Sequence, residues 1–188
     1  MKPIKVNLGQ RNYSILIGRD ILKSLPVELR KLKVGQDIFI ITNNHLMDKY
    51  ADRLSSILRK GKFTFTFYST LDNEKAKSVN VAIKLIEFLA MYAKQRKIAI
   101  CAFGGGVVGD LAGFVASIYK RGVPLVQIPT TLLAQIDSSI GGKTAIDLSI
   151  AKNLIGTFYQ PKLVLCELGF LKSLDKKQMR AGLAEAIK

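Results

Sequence analysis

Short, nearly unbroken apolar runs alternate along this chain with longer stretches in which apolar positions recur every three or four residues. The first pattern suits strands covered on both faces, the second helices with one buried side. Residues 4–8 and 13–17, joined through Gly-Gln-Arg-Asn, predict a hairpin. A short helix follows over 21–32, interrupted or started afresh at Pro26. Residues 37–42 predict a buried strand, 45–59 a helix and 63–68 the next strand. A polar loop at 71–75 leads into a long helix whose expected buried face is Val79, Ala82, Ile83, Ile86, Leu89, Ala90 and Ala93. Residues 98–103 form another strand, which runs into a glycine-rich turn and a helix over 111–119. Then come a strand at 125–128, a second glycine turn at Gly141-Gly142-Lys143 and a last strand at 162–166. The final helix, 174–188, is capped by Ser173 or Asp175.

Strands alternating with helices predict an α/β fold, a mostly parallel sheet with flanking helices, preceded by a β-hairpin. Ligands on such sheets sit beyond the carboxyl ends of the strands, a rule that collects Asn43, Asp72, Gly104 to Asp110, Thr130 and Thr131 on one rim. Residues 1–174 are expected to form the α/β domain and 175–188 to open a helical second domain. The last helical pattern has no closing glycine or proline, so the chain reads as the front part of a longer protein.

Of the 188 residues 48% are hydrophobic, enough to bury a core. The formal net charge of +15 raises nucleic acid as a partner. The cations are scattered rather than blocked, and aromatics do not interleave with them, which argues against it. No apolar run reaches bilayer length, since residues 85–93 are broken by Glu87, and no apolar leader opens the chain. A cytoplasmic protein without a membrane partner is expected. Cys101 and Cys166 sit in strand-like runs without paired spacing, as reduced core thiols do. One histidine, His45, and no clustered cysteines cannot complete a zinc site within this chain.

Gly104, Gly106 and Gly109 fit a dinucleotide-binding spacing at a strand–helix junction, where bare amides and the helix start suit a pyrophosphate. No acidic residue follows at the distance that usually holds a ribose. Asp137 falls at helical spacing from Leu133 and Ala134 and is expected to face apolar neighbours, so it needs a partner or a ligand. Asp110 and Asp137 also read as a helix cap and a core ion pair, and Lys152-Asn153 as a solvated turn. Lys143, after two glycines, can reach an anion, but the full P-loop spacing fails because Asp137 stands where a glycine is required. Glu185 and Lys188 are spaced as a helix ion pair, and His45 lies at a helix start in a non-catalytic setting.

Together, Gly104-Gly-Gly-Val-Val-Gly-Asp110, Gln127-Ile-Pro-Thr-Thr-Leu-Leu133, Gln135-Ile-Asp-Ser-Ser-Ile-Gly-Gly-Lys-Thr144, Lys152-Asn-Leu-Ile-Gly156, Phe158-Tyr-Gln-Pro161 and Gly182-Leu-Ala-Glu-Ala-Ile-Lys188 resemble the 3-dehydroquinate synthase family, in its order and spacing. The resemblance implies an NAD-binding α/β domain before a helical, metal-binding one, usually in a homodimer. It implies a lyase that converts a phosphorylated keto acid, 3-deoxy-arabino-heptulosonate 7-phosphate, to 3-dehydroquinate and phosphate with NAD and zinc or cobalt. Asp72, Asn73, Glu74, Lys75, Ala76 and Lys77 would hold the adenosine end, with Glu74 and Lys77 on the ribose. Gly106, Val107, Val108, Gly109 and Asp110 would cradle the pyrophosphate. Thr130 and Thr131 would stand near the nicotinamide, and Phe170, Leu171, Lys172 and Ser173 would complete the pocket with Asn43. Asp137, Lys143, Lys152 and Asn153 resemble substrate and cofactor residues. Arg121 resembles a residue reaching substrate phosphate across the dimer, and Lys188 another phosphate ligand. Glu185 resembles the metal-binding carboxylate, whose two histidine partners would belong to the second domain. Asp147-Leu148-Ser149 and Ala151 depart from the family's usual proline and glycine there. The chain alone is therefore expected to bind NAD without turning over. Another sugar phosphate cyclase, a polyol dehydrogenase of the same superfamily, or a non-catalytic nucleotide-binding module are the alternatives.

Overall fold

The computed structural model describes residues 3–93 and 97–188. Strand β1 (Ile4–Val6) pairs antiparallel with β2 (Tyr13–Gly18), the expected hairpin. The strands β3 (Asp37–Asn43), β4 (Thr64–Thr70), β5 (Ile98–Gly104) and β6 (Leu125–Pro129) continue the chain. Two short strands, β7 (Lys143–Ile146) and β8 (Ile155–Phe158), pair antiparallel apart from the main sheet, and β9 (Leu163–Glu167) rejoins it. Among the described residues the main sheet has seven strands in the order β1-β2-β9-β6-β5-β3-β4, parallel throughout except for β1.

Every residue of β5, β6 and β9 is buried, because helices cover both faces. On one face α1 (Leu25–Lys31) and α2 (Asn44–Lys60) bury Leu25, Leu29, Leu54 and Leu58 against Ile38, Ile40, Cys101 and Leu165. On the other, α3 (Val79–Tyr92) and α4 (Gly106–Ile118) bury Leu85, Leu89, Leu111 and Val115 against Phe39, Ile41 and Ile100. The last helix, α5 (Lys176–Ile187), is capped by Asp175, whose Oδ1 accepts from the Gln178 amide at 2.7 Å.

Three details differ from the sequence expectation. Of the expected face of α3, Ala82, Ile86, Leu89 and the following Ala93 pack, joined by Leu85, while Val79, Ile83 and Ala90 face outward. Both sets have helical spacing, and only the position of the sheet decides between them. The helix expected from 111 begins at Gly106, so the glycine turn is itself the first helical turn. The second glycine turn leads into the β7–β8 hairpin, which the sequence pattern did not signal. Its strands are short and β8 is largely exposed.

The order also locates a crevice. From β3 the chain goes outward through α2 to β4; from β5 it goes the other way through α4 to β6. The carboxyl ends of the neighbouring strands β3 and β5 therefore open a topological switch point, where such sheets bind ligands.

Candidate functional site

At that switch point lies a cavity of about 570 Å³. Its lining includes Asn43 at the end of β3, Asp72, Asn73 and Glu74 after β4, Gly105 to Val108 at the start of α4, and Thr130 and Thr131 after β6. Strand β5 delivers the chain to α4 through Gly105, which has extended backbone angles. The first amides of α4 have no acceptor within the helix and carry its positive dipole end. A side chain at either of its two leading glycines would be crowded. A Cβ on Gly105 would lie 3.2 Å from Thr131 Cγ2, and one on Gly106 would lie 3.1 Å from Ser138 Oγ. Farther along, Gln127 donates from Nε2 to the Gly109 carbonyl at 3.2 Å and fills the space a Gly109 side chain would need. Asn43 is itself the cap of α2: its Oδ1 accepts from the Leu46 amide at 2.8 Å, while Nδ2 donates to Asp72 Oδ1 at 2.6 Å.

A second cavity, about 540 Å³, is lined by Asp110, Asp137, Ser138, Lys143, Thr144 and Asn153, with apolar walls from Ile140, Leu154 and Phe158. Asp137 and Ser138 come from a single π-helical turn, Ala134–Ser138. Gln135 pins that turn by donating from Nε2 to the carbonyls of Pro129 and Glu167, both at 3.1 Å. Gly182 of α5 also packs against Leu132 and Leu133, so the turn is held from two sides. Ser138 Oγ is buried without a hydrogen-bond partner. Lys143 opens β7 just after Gly141 and Gly142, whose φ values of +82° and +75° are natural for glycine.

Between these sites stands a buried ion pair. Lys77 is only 4% exposed, and its Nζ donates to Asp110 Oδ2 and to Asn153 Oδ1, each at 2.6 Å. Burial pushes the Asp110 carboxyl up from its usual range, and the hydrogen bond and charge of Lys77 oppose that rise. A third hollow on the far side of Lys77 is bordered by Glu74, Lys75, Asp147 and Lys152. Across it Lys152 Nζ stands 3.8 Å from Glu74 Oε2.

Several expected residues lie elsewhere. Asp137 is exposed to its cavity rather than turned to apolar neighbours, because the wider π turn rotates it outward. Phe170 is buried in an aromatic cluster with Tyr50 and Phe103 and Ala76 is a core residue, while Val108 borders the first cavity although it is buried. Of the 170–173 segment Ser173 lines the first cavity; Leu171 is half-buried and Lys172 exposed. Arg121 is exposed beyond the far end of α4 at φ +64° and lines neither cavity. Glu185 and Lys188 form the simple helix pair that their spacing suggests, at 3.5 Å. Among the described residues no three His, Cys, Asp or Glu side chains converge as metal ligands, and no helix is long and apolar enough to cross a membrane.

Sequence reasoning passed over Glu167, Gln135, Lys177 and Gln178. The last two line the first cavity from α5. Glu167, 2% exposed, accepts from the amides of Asp20, Leu22 and Gly169 at 3.0, 3.2 and 2.9 Å, tying β9 to the β2–α1 connection. Its signal was legible: a carboxylate ending an all-apolar strand must find donors.

Comparison with known proteins decides the family. Residues 67–181 match the family described as 3-dehydroquinate synthase N-terminal. The chain belongs to the 3-dehydroquinate synthase family. It is 45% identical over all 188 residues to a 3-dehydroquinate synthase of Pelotomaculum thermopropionicum, of which it covers 51%. The chain thus spans about half the length of the curated relatives it matches. Its fold is similar to a 2-deoxy-scyllo-inosose synthase complexed with carbaglucose-6-phosphate, NAD+ and Co2+ (TM-score 0.90, 26% identity, covering 99% of this chain and 50% of that one). It is also similar to the 2-epi-5-epi-valiolone synthase of Streptomyces hygroscopicus subsp. jinggangensis with NAD+ and Zn2+ bound (TM-score 0.82, 28% identity, covering 96% and 49%).

Proposed function

We propose that this chain is the NAD-binding half of a cytoplasmic 3-dehydroquinate synthase that converts 3-deoxy-arabino-heptulosonate 7-phosphate to 3-dehydroquinate and phosphate. One observation carries the reading: the bare first turn of α4 opens on a cavity at the topological switch point, and its glycines leave main-chain amides where a diphosphate would bind. When bound, NAD supplies reversible oxidation of a substrate hydroxyl, which acidifies the neighbouring carbon and lets phosphate depart. The chain's own residues bind and orient. Amides of Gly106 to Val108 hold the pyrophosphate, Asp72 to Glu74 the adenosine side, and Thr130 and Thr131 the approach to the nicotinamide. In the second cavity Lys143 attracts an anionic group of the substrate, Asn153 donates a hydrogen bond and Asp137 accepts one from a hydroxyl, while Lys152 adds positive charge beside Glu74 at the neighbouring hollow. Such orientation and charge placement lower the barrier without new covalent chemistry from the protein.

The metal does not fit these residues alone, and no step here is routed through it; Glu185 contributes one carboxylate toward a site that needs further ligands. Helix α5 opens the second, helical domain in this reading, and Arg121 and Lys188 reach phosphate in an intact homodimer.

Titration calorimetry of the chain with NAD should register saturable heat; none at millimolar NAD would sink the reading. A chimera with the second half of the Pelotomaculum enzyme should release phosphate from the heptulosonate phosphate. Release from sedoheptulose 7-phosphate instead would point to another sugar phosphate cyclase.

A further inference from the structure

Lys77 ends a segment whose first members, Asp72 to Glu74, line the first cavity, yet its own side chain is buried between the third hollow and the Asp110 and Asn153 of the second cavity's wall. We propose that Lys77 is a positioning residue, which, anchored by Asp110, locks the Asn153 amide so that its Nδ2 donor is presented to the second cavity. The inference rests on the reading of that cavity as the substrate's.

An asparagine amide has two ends of nearly equal size, and nothing in its shape prevents a half-turn that exchanges them. A lysine ammonium carries only donors, so the end it holds at 2.6 Å is the oxygen. The donor end is then left for the cavity that Asn153 lines. The rest of Asn153 is fixed by a closed circuit. The Asp147 amide donates to the Lys77 carbonyl at 2.6 Å. The Asn153 amide donates to Asp147 Oδ1 at 2.7 Å. Lys77 Nζ closes the ring on Asn153 Oδ1. Asp110 completes it by neutralising an ammonium that would otherwise be buried alone. Asn153 has φ +56°, which asparagine tolerates better than most residues. The result is a cavity wall that offers an N–H donor beside Lys143, complementary to a carboxylate, phosphate or hydroxyl oxygen. With the amide reversed, the same wall would present an oxygen to an anion and repel it.

The test needs no ligand. In the ¹⁵N-labelled chain, the Asn153 side-chain amide pair should be ordered and shifted from free asparagine. Lys77→Met should collapse it to the free value with high mobility, while Asp110→Asn, which removes the counter-charge but leaves Lys77 in place, should loosen it less. Should Lys77→Met fail to fold, two Asn153 variants decide the matter. Asn153→Asp keeps an oxygen for Lys77 and should melt within about 2 °C of the parent, whereas Asn153→Gly, which suits φ +56° without strain but removes that oxygen, should melt lower by about 5 °C or more. An unchanged Asn153 amide in Lys77→Met, or equal melting of the two Asn153 variants, overturns the proposal. Loss of NAD heat in the parent chain with the amide behaving as expected would instead overturn the functional reading and leave the lock intact.

Discussion

The first turn of α4 and the stretch from the π turn to β8 border adjoining cavities but are built in opposite ways. The α4 turn is one continuous segment. A fully buried strand feeds it, two glycines open it, and the residues that border the cavity, Gly105 to Val108, are consecutive. The other wall is gathered from Asp110, the 137–145 segment and the 153–158 segment. Its order rests on a few polar ties: Gln135 to two carbonyls, Thr144 Oγ1 to the Thr157 carbonyl at 3.0 Å, and Tyr159 OH to the Val123 carbonyl at 2.9 Å. It also leaves Leu154 and Phe158 exposed, at 59% and 74%. A site made of backbone requires space and a rigid anchor. A site made of side chains requires that distant segments meet and stay.

The contrast is open to attack. Gly104→Ala should do most damage, because the new Cβ would lie 2.6 Å from Val108 Cβ in a core with no room; urea unfolding should lose about 3 kcal/mol, and NAD heat should fall with it. Gln135→Leu should cost about 2 kcal/mol by leaving two carbonyls without their donor. It carries a second readout. Burial pushes the Cys101 and Cys166 thiols up to about 12, so neither should react with a thiol reagent at neutral pH in the native chain. Cys166 Sγ donates to the main-chain carbonyl of residue 135, so a turn freed from the two side-chain ties of Gln135 should let the reagent reach Cys166 and leave Cys101 protected. Gly141→Ala meets no atom within 4 Å and suffers only the strain of φ +82°, about 1 kcal/mol. If it costs as much as Gly104→Ala, steric exclusion is not what distinguishes the two regions.

The smallest effect is in pH. The folded Asp110 carboxyl titrates above its unfolded counterpart, so the folded chain binds more protons across the interval between them. Its contribution is fully present below about pH 3.9 and declines as pH rises through the folded value. The stability of the parent relative to Asp110→Asn should therefore fall over that interval and level off above it. A relative stability that climbs with pH there would mean that Lys77 outweighs burial.

The same contrast governs what could be read in advance. Residues 98–110 announced both a buried strand and a phosphate-type turn, because each depends on neighbours a few positions away. The rim of Asn43, Asp72, the α4 turn and Thr130-Thr131 followed from the rule that ligands sit beyond the carboxyl ends of parallel strands. The buried pairing of Lys77 was not legible, because nothing local reveals that Asp110 and Asn153, 33 and 76 residues onward, close upon it. The burial of Phe170 was hidden for a like reason: it is decided by Tyr50 and Phe103. In α3 two apolar stripes competed, and local spacing could not rank them.

The order of apolar runs and glycines determined by itself that this chain folds as a parallel α/β sheet with a bare helix start at its crevice. Periodicity and the absence of a Cβ are properties of adjacent residues. Which carboxylate meets which lysine, which stripe of α3 is covered, and which way an asparagine amide points were decided only by the tertiary structure. Those outcomes depend on free energies between groups that the chain brings together across dozens of residues, and a buried charge takes whatever partner the fold delivers.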